Sequence, residues 1–405
     1  MAQPTTPIYE LPTELLSKIF ILVSETDQFG PVKITEVCHR WRDIILDLPR
    51  AWSWIYVHTI KKKKNMGRYL SVFTERSHQC VLHIHIPALF TPDYNREMLQ
   101  EILPSLIQVS HRIQCLSIPS WHLGCFADAT FPNLLCLRFS IETEDHVIGV
   151  YEFSNKSKYP RLEIFHASYC GWVQSVWDYQ KIALPFLKHL SIQASGDDTW
   201  VDIITVCAET LVTLTIKGPL INCGIPRVHI RFPILQRLTI DNSFTDYETF
   251  CPFEAATPSL VSYEELTGRD NTSEPIHHDL DTVTHLRTDN LRLIPAFPAL
   301  RVVQCVSVYL SSTEKRALDF VEKVEEGTPY CPTLKLVMFH LRFGAQVHEP
   351  ALIQRDLNAR IERAGRAIKF KFVGPMNLPS LPPRQTPVCG PNLRCRYDQD
   401  SESAY

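Results

Sequence analysis

The sequence predicts a mixed α/β chain: a small bundle of amphipathic helices at the N-terminus, then a long array of repeated strand-bearing units. Three observations carry this. Apolar residues recur at helical spacing through residues 9–52. A short pattern, commonly an aromatic residue and a proline leading to alternating Leu or Ile, returns along most of the remaining chain. Helical patterns lie between several of its copies.

In the opening stretch Leu15, Ile19, Leu22 and Val23 recur at helical spacing, with Leu16 and Phe20 widening the apolar stripe. Pro12 is placed in the first turn, where proline is tolerated, with Glu14 near the positive end of the helix dipole. "ETDQFGP", Glu25 to Pro31, breaks the pattern. A second helical pattern follows in Ile34, Val37, Cys38, Trp41, Ile44, Ile45 and Leu48, all on one face, until Pro49 ends it. Two or three such short helices carry more apolar surface than they can hide on one another. Each fully buried large side chain is worth roughly 1.5–3 kcal/mol, so the face is expected to be covered, either by the rest of this chain or by another protein.

"LPTELLSKIF" and "VCHRWRDIILDLPRAW" resemble an F-box. The resemblance rests on Leu11-Pro12, on Glu14-Leu15-Leu16, on Ile19-Phe20, on Val37-Cys38 with Trp41-Arg42, and on Pro49 with Trp52. The Pro-Arg-x-Trp ending and the polar insert are similar to those of large fungal F-box families, which usually carry Leu where this chain has Ala51. The resemblance implies a three-helix module that binds a Skp-type adaptor, and through it a cullin and a RING subunit. The contacts it implies are Leu11, Pro12, Leu15, Ile19, Phe20, Val37, Cys38 and Trp41. Some of these, Trp41 among the candidates, would hold the module's own core instead.

After Trp52, "WSWIYVHTI" reads as a strand or an extended link, and Lys61 to Asn65 ("KKKKN") as a solvated loop in preference to a nuclear-import patch. Then come the copies. "FPNLLCLRFS" begins at Phe131, "YPRLEIFHAS" at Tyr159, "LPFLKHLSIQ" at Leu184 and "FPILQRLTID" at Phe232; "TPSLVSYEEL" begins at Thr257, "FPALRVVQCV" at Phe297 and "CPTLKLVMFH" at Cys331. "TLVTLTIKGP", from Thr210, fits between them without the proline, and "RIQCLSIPS" and "TVTHLRTDN" are weaker copies. Adjacent copies repeat at about 24 or 25 residues. The shared Leu-x-x-Leu-x-Leu/Ile, as in Leu187, Leu190 and Ile192, resembles leucine-rich repeats. Alternation points the last two apolar residues inward and the residue between them outward. The Asn or Cys that usually follows is matched only by Cys170, so the resemblance implies an irregular solenoid. Arg138, His189, Thr215 and Arg237 are assigned to the outward-facing middle position of the motif.

Helical patterns intervene: "DYNREMLQEILPSLIQVS" with Met98, Ile102 and Leu106, where Pro104 should kink it, and "TWVDIITVCAETL" with Val201, Ile204 and Cys207. "SSTEKRALDFVEKVEEG" carries a capping-box spacing at Ser311 and Glu314 and a stop at Gly327. A last helix has Ile353, Leu357, Ile361 and Ala364 on one side and precedes a strand, "KFKFVG". The organisation expected is therefore an F-box module at 1–58, a basic linker at 59–77, an irregular leucine-rich-repeat solenoid at 78–373 and a Pro-rich disordered tail at 374–405.

The chain has 405 residues, 45% hydrophobic and 21% charged, the balance of an ordinary soluble protein. Its net charge of −3 points to neither nucleic acid nor membrane, and no apolar run approaches a membrane span. Thirteen scattered cysteines read as reduced thiols, which with the absence of a signal sequence suggests a cytoplasmic or nuclear protein. No phosphate loop, nucleotide fingerprint, nucleophile elbow or His-Glu-x-x-His helix occurs, so neither catalytic residue nor cofactor is expected. "HHDLD", His277 to Asp281, reads as a polar loop rather than a metal site. His83 and His85 would share a strand face, Cys389 and Cys395 lack a second pair for zinc, and "PSLPPR" in the tail reads as linker rather than a polyproline ligand. The function expected from the resemblance is a non-catalytic substrate receptor of a Skp–cullin–F-box ubiquitin ligase. The alternative is an interaction scaffold that transfers no ubiquitin.

Overall fold

A computed structural model describes residues 7–27, 29–57, 66–86, 101–119, 126, 128–140, 157–167, 186–194, 199–218, 228–242, 253–267, 275–277, 279–306, 313–326, 332–340 and 350–373. The chain is mixed α/β, as expected, and its strands form parallel sheet. It divides into two compact units, the first ending at Leu162 and the second beginning at Glu163. Lys61–Asn65, Met98, Cys170, His278, Ser311, Gly327 and the tail from 374 lie outside the described residues.

The first unit opens with α1 (Thr13–Thr26), α2 (Gly30–Thr35) and α3 (His39–Leu46), closed by a 3-10 turn at Pro49–Trp52. Pro12 sits just before α1 rather than within its first turn, and its carbonyl accepts the N–H groups of Leu15 and Leu16. The second helical pattern is interrupted, because Cys38 is fully extended between α2 and α3. Leu16, Phe20, Ile34, Ile45, Ala51 and Trp52 form the module's core, and the Trp52 indole donates to the Ile45 carbonyl at 2.8 Å. Strand β1 (Trp54–Tyr56) leads to α4 (Met66–Arg76), which occupies much of the stretch read as linker. Its Met66, Leu70 and Phe73 are buried at helical spacing, and Phe73 meets Trp52 edge-on at 5.1 Å. A helix α5 spans 101–108, running through Pro104. Strands β2 (Leu82–His85), β3 (Ile113–Pro119) and β4 (Cys136–Ser140) extend β1 into a parallel sheet in sequence order.

The second unit repeats one device. Strands β5 (Ile164–Ala167), β6 (His189–Gln193), β7 (Thr213–Lys217), β9 (Arg237–Asp241), β11 (Ser262–Leu266), β12 (His285–Thr288), β13 (Val302–Val306), β14 (Leu336–His340) and β15 (Lys369–Val373) pair in sequence order, all parallel. Two short strands, β8 (Val228–Arg231) and β10 (Phe253–Ala256), form a separate parallel pair. Helices α6 (Thr199–Cys207), α7 (Thr313–Glu325) and α8 (Pro350–Arg363) lie between strands.

The aromatic-proline motif is a tight turn ahead of a strand. Leu235 donates its N–H to Phe232, Leu260 to Thr257 and Leu300 to Phe297, with Pro233, Pro258 and Pro298 at the second position. Proline presets the backbone angle needed there. The same turn precedes β4 at Phe131 and β5 at Tyr159. Along the strands Leu190, Leu214, Leu238, Tyr263, Leu286, Val303 and Val337 stand in register and are buried. No single unit could shield that row from water; its neighbours do.

One backbone position has no freedom to vary. Gly218 has φ +96°, and a β-carbon there would sit 2.9 Å from the Ala194 carbonyl oxygen. Gly218→Ala is therefore expected to cost about 1–3 kcal/mol, measured as a lower urea midpoint than wild type.

The next inward row contains an exception. Ile192, Ile216 and Ile240 are followed by Glu265, in register with Ile240 and Thr288 and fully buried. One carboxylate oxygen accepts from the Tyr263 hydroxyl at 2.5 Å and the Ile276 N–H at 3.0 Å; the other has no partner. Around it, His277 bonds Thr257 through Nε2 at 2.9 Å, and the Asp279 carboxylate accepts the Thr257 N–H. His277 and Asp279 of "HHDLD" thus brace the turn before β11. Burial pushes the Glu265 carboxyl up to about 7, with Asp289 adding to the rise while Tyr263 and Ile276 oppose it.

Candidate functional site

Helix α1 is apolar on two sides. Leu16 and Phe20 face the module's core, as does Ser24, whose hydroxyl bonds the Phe20 carbonyl at 2.7 Å. Leu15, Ile19 and Leu22, spaced for one stripe, are 45%, 42% and 51% exposed. Val37, after α2, is 55% exposed, and Val32 is exposed too. Burying three or four such side chains against a partner would gain roughly 1.5–3 kcal/mol each before the costs of association.

The eight residues assigned to the adaptor divide by environment. Pro12, Leu15, Ile19 and Val37 are exposed; Leu11, Cys38 and Trp41 are half-buried; Phe20 is buried. Phe20 packs on Trp41, ring centroids 5.1 Å apart, so this pair supports the helices from within. The Trp41 indole nitrogen is buried without an acceptor. Arg40 ties α3 to the chain entrance by donating to the Leu11 carbonyl at 2.7 Å, and Tyr56 ties β1 to the end of α1 through the Glu25 carbonyl at 2.8 Å. Sequence reasoning did not single out Leu22 and Val32 as contacts. Leu22 belonged to the recognised stripe, but only the packing reveals which half of that stripe remains in water.

The second candidate surface is the outer face of the strands of the larger unit. Its middle row runs His166, Ser191, Thr215, Thr239, Glu264, Arg287 and Gln304, in register. Thr215 holds the middle position as expected, and so does Arg138 in the first unit. His189 and Arg237 lie on the outer side but at the first strand position. His189 Nδ1 is 2.8 Å from the Thr213 hydroxyl. Glu264 is ion-paired with Arg287 and accepts from Thr239 at 3.4 Å; burial raises its pKa, while Arg287 and Arg237 counter the rise. These groups make hydrogen-bonding and ionic contacts along the outer face.

His83 and His85 share a face, each against an aromatic ring of β1: His83 stacks on Trp54 at 3.9 Å and His85 meets Tyr56 edge-on. Burial holds His83 neutral, with its pKa lowered to about 4. Among the described residues no three His, Cys, Asp or Glu side chains are grouped to hold a metal ion, and no helix is long and apolar enough to cross a membrane. Compared with known proteins, the chain matches no family model and no curated protein.

Proposed function

We propose that this protein is a non-catalytic substrate receptor of a Skp–cullin–F-box ubiquitin ligase, its N-terminal helices binding the adaptor and its strands forming an irregular leucine-rich-repeat solenoid that holds the target. The observation that carries the reading is the exposed stripe of Leu15, Ile19 and Leu22 on a helix whose opposite side already fills the module's core. A helix that had only to dock on its own chain would need one apolar side. Sequence-ordered parallel pairing and the recurring proline turn support the solenoid. Such a receptor needs no reacting group of its own: holding a target beside a charged conjugating enzyme raises the effective concentration of its lysines.

The test is capture of a Skp-type adaptor by the full chain, compared with a Leu15→Asp, Ile19→Asp variant. Both positions are exposed, so the variant should unfold within about 0.5 kcal/mol of wild type and lose adaptor binding at least tenfold. Wild-type protein that captures no adaptor, or a variant that captures it equally well, defeats the proposal.

A further inference from the structure

The geometry points to a docking edge for an acidic peptide along the start of strands β9 to β15, an inference that deepens the receptor reading and rests on it for its biological meaning. The residues at the start of successive strands are linked by one repeated hydrogen bond: Arg301 donates its N–H to Thr284, Lys335 to Arg301 and Lys369 to Lys335, each at 2.9 Å. This places Arg301, Lys335 and Lys369 on neighbouring strands, and all three are exposed. Among the described residues none of the three has an acidic partner. Arg237 adds a half-buried guanidinium whose Nε is buried and meets no acceptor.

Two acids of this side are already engaged. Glu264 pairs with Arg287, and Glu163, at the far end of the same edge, pairs with Lys188 at 3.0 Å. His285 lies between Arg237 and Arg301: burial, then Arg301, then Arg237 lower its pKa, so both guanidiniums act on one imidazole. In a chain of net charge −3 this is a concentration of positive charge in which, among the described residues, Arg301, Lys335 and Lys369 have no acidic partner.

The fitting partner carries several carboxylates in succession. Neighbouring strands are about 4.8 Å apart, so an extended Asp/Glu-rich segment laid across them meets one cation after another. Guanidinium binds carboxylate in bidentate fashion, which suits Arg237 and Arg301. Single-stranded nucleic acid is the other polyanion to weigh, and it relies on exposed rings for base stacking. Here Tyr263, Phe297 and Phe339 are buried in the repeats.

The test uses the full chain and fluorescein-labelled oligoglutamate, with oligoglutamine and oligouridylate as comparisons, read by fluorescence anisotropy. Wild type should bind oligoglutamate and not oligoglutamine, and binding should weaken steeply with salt. An Arg301→Glu, Lys335→Glu variant should bind about tenfold or more weakly while its thermal unfolding stays that of wild type. The His285 resonances should show a raised pKa when oligoglutamate is bound. Equal binding of oligoglutamate and oligoglutamine, or a variant that binds like wild type, overturns the inference. Tighter binding of oligouridylate overturns the choice of a peptide. Adaptor capture by the same preparations is read separately: loss of peptide binding with adaptor capture intact is a failure of this edge alone, and the converse is a failure of the receptor reading.

Discussion

Raising the pH from 5 to 8 is expected to destabilise the wild-type protein relative to Glu265→Gln by about 2.5 kcal/mol. The buried Glu265 carboxyl titrates near 7 in the fold against an ordinary 4.5. Between those values the folded state holds a proton that the unfolded chain has released. Stability from this group is therefore greatest below about 4.5, declines as pH climbs to about 7, and levels off above. Glutamine keeps an acceptor for the Tyr263 hydroxyl and the Ile276 N–H and never ionises. Other carboxylates move with pH in both proteins, so the difference between their urea midpoints isolates this one. A difference that stays constant from pH 5 to 8 would show that the carboxyl does not titrate where its surroundings place it.

Phe20→Ala should behave unlike every exposed change on the same helix. The ring is 1% exposed and packs on Trp41, so truncation leaves a cavity under α1 and costs about 3–5 kcal/mol. On the proposed receptor reading, adaptor capture would fall with it, but as a consequence of the helices loosening. Circular dichroism and limited proteolysis separate the cases. Phe20→Ala should expose the first fifty or so residues to protease, whereas Leu15→Asp with Ile19→Asp should leave them protected. If Phe20→Ala melts and digests like wild type, the module's core is held by something other than this pair.

Much of the strand architecture was legible because alternation is a local property. Leu190 with Ile192, and Leu238 with Ile240, announce which side is inward before any neighbour is known, and the proline turns mark where each strand starts. Whatever depends on an adjacent element was hidden. The stripe on α1 is wide enough for two partners, and nothing in Leu15, Leu16, Ile19 and Phe20 themselves says which two meet the core. The break at Cys38 was missed because the apolar spacing runs unbroken across it. Helix α4 escaped notice beside the lysine run, although Leu70 and Phe73 carry its spacing. Glu265 follows Glu264 directly, and alternation forces one of any such pair inward. That signal was present in "SYEEL" and was obscured by the match of the surrounding residues to the repeat. The edge formed by Arg301, Lys335 and Lys369 is scattered over some seventy residues, and only the hydrogen bonds between strands collect it.

In the larger unit the strands of the main sheet follow one another in a single sequence-ordered row, with β8 and β10 paired apart, and this makes the sheet a series of links rather than a mesh. A mesh shares a defect among many neighbours; a series opens at its weakest joint. Ionised Glu265 weakens the joint between β9 and β12, with β5 to β9 on one side and β12 to β15 on the other. Local opening is therefore expected at that row first, with the strands on either side keeping their own pairings.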